Sequence, residues 1–447
     1  MTDSTPRQNE RSLKYHVRQI LRYLRVIIRP TDRVVEVNPT HQSLPGGIYS
    51  DTPRLMTDNS GETYRVENSK GSADDLLKDA HYVVIRNAIH RCYDIGQLLN
   101  NIREKIGDET KVVVVYYSSF WKPVIESFWG QQSRPMNWIA PQDLDNFGQL
   151  AGLETVSCQT RILLPVGIPI VSYLVNRFLA PWGLFSWAGL TRIQVLSKVP
   201  DKREGMDNPS VSVVVPARNE SGNIEQAILR LPKMGPNDEI IFIEGNSTDD
   251  TWDRIQEVKE KYGGTHNIKI GQQDGKGKYN AVRKGFDMAE NEILMILDAD
   301  LTVPPEELPV FYRAISDCRG EFINGSRLVY PMEDRAMRFL NMIGNKAFAM
   351  AFSNVLGQRF KDTLCGTKVM TKENYERICA NRDYFGDFDP FGDFDLIFGV
   401  SRMGLKIVEV PVHYKERTYG DTNIQRWAHG VILLKMLIFA AMRLKFI

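Results

Sequence analysis

Residues Ile293 to Leu297 read ILMIL, an apolar run that stops at Asp298, Ala299 and Asp300 before a turn marked by Pro304 and Pro305. A run without polar alternation predicts a strand covered on both faces, as in parallel sheets with helices on each side. Two further runs, VSVVVP (Val211 to Pro216) and EIIFIE (Glu239 to Glu244), are each followed by a polar turn and a helix-like stretch. That alternation predicts βαβ units and an α/β fold. The crevice beyond the carboxyl ends of such strands is where open α/β sheets hold ligands. Period-two geometry projects Asp298 and Asp300 to the same side there, and two adjacent carboxylates want a cation. A turn in which Asp hydrogen-bonds its own backbone accounts for only one of them.

The chain has 447 residues, which suggests two or three domains. Its formal net charge of +1 lacks the strong positive field that nucleic-acid binding needs, so no nucleic acid is expected as partner. The five cysteines, Cys92, Cys158, Cys318, Cys365 and Cys379, show no C-x-x-C spacing, so neither a disulfide framework nor a zinc site is expected. The first residues, MTDSTPRQNERSLKYH, have no apolar core of the kind an export signal requires. A polar stretch, VPDKREGMDNPS from Val199 to Ser210, reads as a linker between two α/β blocks. The expected organisation is a disordered tail 1–12, a first domain 13–199, a linker 200–210, a second domain 211–428 and a terminal amphipathic helix 429–447.

In the second block the turns follow in order: PARNE (Pro216 to Glu220), EGNSTDDT (Glu244 to Thr251), GKGKYNAVRKGF (Gly275 to Phe286) and DAD (Asp298 to Asp300). Ser247, Thr248 or Asp249 can cap the helix that follows Glu244, and Gly263 can end it. From about Val211 onward the chain resembles the family 2 glycosyltransferases, and among them the polyprenyl-phosphate sugar transferases of the dolichol-phosphate mannosyltransferase kind. The resemblance implies a GT-A fold, a nucleotide-diphosphate sugar as donor, and Mg²⁺ or Mn²⁺ held by Asp298 and Asp300. It implies Asp298 on the nucleotide and ribose side and Asp300 as metal ligand, with the metal neutralising the leaving diphosphate.

The same resemblance makes Pro216, Arg218, Glu220, Glu244 and Lys278 donor-side candidates. Arg218 stands where the relatives often have Tyr, and a guanidinium can stack on a base. Glu244 keeps only the first acid of a motif that usually has two, and Asp249 is read as a helix cap. Thr302 replaces a Gln, and Tyr279 a Gly, of the family pattern. Asp300, Asp393 and Arg417 are the catalytic candidates. A polyprenyl phosphate is already a nucleophile, whereas a hydroxyl acceptor needs a base, for which Asp393 is the candidate. Arg327, Asp362, Lys368 and Arg426 form the acceptor side. Asp387, Asp389 and Asp395 read equally as an acidic loop beside a helix, and Cys365 as a packing residue.

The terminal stretch from His429 to Ile447 is apolar but interrupted by Lys435, Arg443 and Lys445, which suits a helix lying on a membrane surface. A second apolar stretch, Ile162 to Leu190, is broken by Pro165, Pro169, Arg177 and Pro181 and reads as a membrane-facing or domain-packing element. The expected location is cytoplasmic, peripheral at the membrane face. The first block, with DRVVEVNPTHQSLPGG (Asp32 to Gly47) and KVVVVYYSSFW (Lys111 to Trp121), resembles class I S-adenosylmethionine methyltransferases, which makes both blocks Rossmann-like. Glu36 keeps the acid of the family's first strand, but Asn38, Pro39, Thr40 and His41 replace its glycine-rich turn. The expectation is a degenerate domain, scaffold or acceptor-presenting module. An active or bifunctional methyltransferase is the alternative, as is a glycosyltransferase acting on a sugar hydroxyl.

Overall fold

The computed structural model describes residues 15–39, 48–49, 51–57, 64–124, 137–199, 208–330, 339–380, 394–417, 419 and 426–446. The expected tail 1–12, most of the linker, Thr40, His41, Asp387, Asp389 and Asp393 lie outside the described residues, as do the side chains of Pro39 and Arg426. The chain forms two compact units, residues 1–200 with 442–447, and residues 201–441.

The first unit is built on β1 (Val34–Pro39), β2 (Arg54–Thr57), β3 (Tyr64–Glu67), β4 (Tyr82–Arg86), β5 (Lys111–Tyr117), β6 (Leu153–Arg161) and β7 (Thr191–Lys198). They lie in the order β3-β2-β1-β4-β5-β7-β6. β2, β1, β4 and β5 are parallel, while β3 is antiparallel to β2 and β7 to both its neighbours. Successive residues of β4 and β5 serve two cores. Val83, Ile85, Val112 and Val114 pack with Leu98, Leu99 and Ile102 of the helix Ile95–Lys105. Tyr82, Val84, Val113 and Val115 pack with Leu21 and Leu24 of the helix Tyr15–Ile27. A sheet sandwiched in this way has no face for water, which is why its strands read as unbroken apolar runs.

The second unit contains β8 (Val211–Ala217), β9 (Glu239–Glu244), β10 (Asn267–Gln272), β11 (Ile293–Ile296), β12 (Phe322–Ser326), β13 (Lys368–Thr371) and β14 (Ile407–Pro411). Their order is β10-β9-β8-β11-β13-β12-β14. The first four are parallel, and β13 runs antiparallel to β11 and β12. The chain winds outward from β8 through β9 and β10 and then returns to place β11 on the other side of β8. The direction of winding thus reverses between β8 and β11, and a crevice opens at their carboxyl ends. One face of this sheet packs Val213, Phe242 and Met295 with Ile224, Ile255 and Phe311. On the other, the helix Lys278–Met288 seats directly on β8. A Cβ built on Gly285 would overlap the side chain of Val214 and lie 3.0 Å from its Cγ2, so that close seating requires glycine.

The terminal segment is an α-helix, Arg426–Ala440, ending in a π-helical turn, Ala441–Lys445. Val431, Leu434 and Ile438 are exposed, while Leu433, Met436 and Ala440 are buried. Among the described residues no helix is long and apolar enough to cross a membrane.

Candidate active site

The carboxyl ends of β8, β9 and β11 turn sharply, each with a residue in the left-handed region: Asn219 (φ 55), Asn246 (φ 57) and Leu301 (φ 51). Asn tolerates that backbone, but Leu pays roughly 1–2 kcal/mol for it, and burial of the Leu301 side chain, 6% exposed, holds it in place. β11 ends at Ile296, and the Leu301 N–H donates to the Asp298 carbonyl at 3.1 Å. Asp298 and Asp300 therefore sit on a turn and not on an extended strand. Strand alternation does not orient them, because the chain leaves the sheet before reaching them; each is oriented by its own partners.

Asp298 Oδ1 lies 2.6 Å from Lys278 Nζ at the start of the helix Lys278–Met288. Burial alone would raise its carboxyl, but Lys278, with help from Lys368 and Arg327, holds it below the ordinary value. Behind it stands Gly366, where any Cβ would overlap the carboxylate and come within 2.5 Å of Asp298 Cγ. Asp300 Oδ1 accepts from the Thr302 N–H at 3.1 Å and hydroxyl at 2.9 Å, and its Oδ2 meets Arg417 at 2.7 Å. Thr302 is thus a positioning residue for Asp300.

Arg417 bridges two carboxylates, reaching Glu220 Oε1 at 2.9 Å with its other terminal nitrogen. Burial pushes Glu220 up to about 7, against the opposing pull of Arg417 and of the Asn223 amide, which donates to Glu220 Oε2 at 2.8 Å. The stretch after β14 carries Arg417 to the site by crossing the β11 loop. Val412 N–H donates to Ser326 O at 3.0 Å, Lys415 N–H to Thr302 O at 2.9 Å, and Tyr419 and Ser221 share a 2.9 Å hydroxyl contact.

The remaining expected donor-side residues differ in their engagement. Glu244 is buried, and its Oε1 accepts the Ser247 N–H at 2.5 Å, so it braces its own turn. Asp249 accepts from Thr251 N–H at 3.1 Å at the head of the helix Thr251–Tyr262, which ends at Gly263. Pro216 lies within β8 opposite Ile243, and Arg218 is exposed at the crevice rim. Asn219, which motif reading passed over, ties two turns together by accepting Thr248 N–H at 2.8 Å.

On the expected acceptor side, Arg327 and Asp362 form a buried two-point pair at 2.7 and 2.9 Å, reinforced by the Arg327 N–H at 3.1 Å. Asp362 is held below the ordinary value because Arg327 overcomes the effect of burial. Lys368 is 1% exposed and donates to the Cys365 carbonyl. Burial pushes the Cys365 thiol up to about 11, which leaves no thiolate for nucleophilic work. Asp395 pairs with Arg283 at 3.1 Å, whose guanidinium lies 3.4 Å from the Tyr279 ring centroid. Among the described residues no group of three or more His, Cys, Asp or Glu side chains is gathered as a complete metal site. The Asp298 and Asp300 carboxylates offer hard oxygen donors of the kind a divalent cation takes, but only part of a coordination shell.

Residues 212–378 match the family model of glycosyl transferase family 2. Dolichol-phosphate mannosyltransferase of Pyrococcus furiosus is 29% identical over 48% of this chain and 59% of its own length. The undecaprenyl-phosphate 4-deoxy-4-formamido-L-arabinose transferase of Enterobacter sp. is 24% identical over 48% of this chain and 62% of its own. The similarity thus covers about three fifths of these relatives. Glucosyl-3-phosphoglycerate synthase of Mycobacterium tuberculosis, a solved structure, overlaps 53% of this chain and 80% of its own at 18% identity and a TM-score of 0.38. That overlap is too slight to bear on the fold, which rests on the sheet itself. The similarity to glycosyl transferase family 2 thus lies in residues 212–378, which run from β8 through β9 and the β11 turn with both aspartates to the helix after β13.

Proposed function

We propose that this chain transfers a sugar from a nucleotide-diphosphate sugar to a polyprenyl phosphate with inversion, using a GT-A type domain. The observation that carries the reading is the pairing of two strand-end carboxylates with two cations from remote segments, Asp298 with Lys278 and Asp300 with Arg417. Lys278 stands at a helix N-terminus, where the ammonium and the helix dipole both favour a diphosphate. Asp298 and Asp300 would hold Mg²⁺ or Mn²⁺, which supplies charge neutralisation for the departing diphosphate when bound. Glu220 and Arg417 keep Asp300 oriented. The names of the relatives support a lipid-linked phosphate as acceptor. An acceptor phosphate oxygen attacks the anomeric carbon opposite the leaving group. The new carbon–oxygen bond forms as the bond to the donor phosphate breaks, and the nucleoside diphosphate leaves with the electron pair.

The first unit reads as a methyltransferase-like scaffold without cofactor chemistry. Its strand order, with β7 antiparallel between β5 and β6, supports the likeness. Against catalysis stands the engagement of Glu36, which is fully buried. Its Oε2 meets Arg86 at 2.7 Å and its Oε1 accepts the Ile48 N–H at 2.5 Å.

The test is a transfer assay with a panel of nucleotide sugars and polyprenyl phosphate, with and without divalent metal. Asp300→Asn is expected to lower turnover by about 100-fold or more, since it removes charge that acts on the developing leaving group. Retention of full metal-dependent turnover by this variant would remove Asp300 from the site.

A further inference from the structure

β6 and β7 are antiparallel neighbours that meet at Arg161 and Thr191, a junction that about two to five loop residues close in an ordinary hairpin. Here the chain runs out from Ile162 and returns only at Leu190, whose N–H donates to the Ile162 carbonyl at 2.7 Å. This excursion contains no Asp or Glu, and Arg177 is its one charged residue.

Its polarity is inverted. Asn176 is buried at 8% exposure, and its Oδ1 accepts the Leu163 and Leu164 N–H groups at 2.8 Å while its Nδ2 donates to Leu164 O at 2.7 Å. Ser172, 1% exposed, donates to Val166 O and accepts from the Ile168 N–H at 2.9 Å. Ile168, Ile170, Leu174, Leu179, Trp182 and Trp187 instead turn outward, between 42% and 75% exposed. Polar groups satisfied inside and apolar groups presented outside form the pattern of a surface that meets hydrocarbon.

The excursion is also braced. Trp121 Nε1 donates to Ala188 O at 2.8 Å, and the exposed Phe120 meets Trp187 edge-on at 5.1 Å. The 442–447 tail belongs to the same unit and lies alongside, with Phe446 against Phe178 at 5.5 Å and Arg161 donating to Lys445 O at 2.5 Å. That tail adds the exposed Arg443 and no acid, while its Lys445 is buried.

We propose that residues 162–190 are a docking element that seats this chain on an anionic lipid surface. Three features favour lipid over a protein partner. Tryptophan and tyrosine rings suit the headgroup level. Segments that carry Arg177 and the exposed Arg443 and no acid suit anionic headgroups. The excursion folds as short turns, Val171–Leu174 and Val175–Leu179, set among the prolines at 165, 169 and 181, a geometry for one-sided interfacial insertion. The sequence placed the principal membrane contact on the terminal helix; the inverted excursion is the stronger surface.

The inference stands apart from the reading of donor and acceptor, and its test contains neither. Full-length protein is sedimented with phosphatidylcholine vesicles, alone and mixed equally with phosphatidylglycerol. Binding to the mixed vesicles is expected. The double variant Ile170→Glu with Leu174→Glu should bind them at least about tenfold more weakly, because each side chain withdrawn from lipid contributes enough to shift the equilibrium by such a factor. Leu150→Glu, altered at an 82% exposed site on another element of the unit, should bind as before. Trp187→Ser gives a second, uncharged variant with the same expected direction, and circular dichroism checks that each variant is folded. Failure of the native chain to sediment with either vesicle overturns the proposal. So does native binding by folded Ile170→Glu/Leu174→Glu. Loss of a dimer in that variant, without vesicle binding by the native chain, assigns the surface to a second copy instead. Equal binding to both vesicles overturns the anionic preference.

Discussion

Glu220 offers a direct measure of how the active-site crevice stores charge. Its carboxyl is pushed from an ordinary 4.5 to about 7 by burial, which outweighs the attraction of Arg417 and the Asn223 amide. The folded chain therefore keeps a proton that the unfolded chain has already released between those values. Stability from this group is fully present below about pH 4.5 and is lost as pH rises through about 7. At 1.36 kcal/mol per unit, the difference amounts to about 3 kcal/mol. Glu220→Gln mimics the protonated acid at every pH. Near pH 8 the variant should be the more stable by up to about 3 kcal/mol, and near pH 4.5 it should match the native chain. Because the chain has two units, the second is followed by a probe of its own. Amide exchange at Val213, Val214 and Val215 of β8, which are fully buried, reports opening of the second unit alone. A native-minus-variant difference that stays constant with pH would refute the reasoning, as would a variant destabilised at high pH. Either result would mean that Arg417 outweighs burial at this site.

Two other substitutions probe the same crevice. Gly366→Ala drives a methyl into the Asp298 carboxylate and should break the 2.6 Å contact with Lys278; isothermal titration should show donor nucleotide binding weakened by about tenfold or more, with the fold kept. Arg327→Met leaves Asp362, fully buried, without its guanidinium, and denaturant unfolding followed in the second unit should show a loss of about 3–5 kcal/mol; a loss below about 1 kcal/mol would show that the pair is surplus to the fold.

The turn motifs were visible in one dimension because polar residues after an apolar run mark strand ends wherever the run falls. Lys278 and Arg417 were recognisable as candidates, but their partners were not. Arg417 and Asp300 stand 117 positions apart, and no local pattern says which of the chain's cations will reach a given carboxylate. Gly366 drew no notice, since its role lies in the space it leaves for Asp298. Asp298 and Asp300 follow the strand on a turn, because a strand's end depends on its neighbours, and β11 pairs with β8 only as far as Ile296. Charge marks Arg327, Asp362 and Lys368 as candidates, but only the fold pairs Arg327 with Asp362 and sets Lys368 against the Cys365 carbonyl.

By itself the sequence determined the layered α/β architecture, because unbroken β-branched runs can be satisfied only where helices cover both faces of a sheet. It also determined where carboxylates would meet the sheet edge. Tertiary structure decided the rest. β14 took the edge beside β12, and the stretch after it crossed back to the β11 loop and so delivered Arg417 to Asp300. Packing of β1 against β4 joined Glu36 to Arg86 across 50 positions. Hydropathy marked Ile162 to Leu190 as apolar, but only the folded excursion, with Ser172 and Asn176 turned inward, decided which side of it faces out. Backbone groups must find partners, and where those partners lie is a property of the three-dimensional chain.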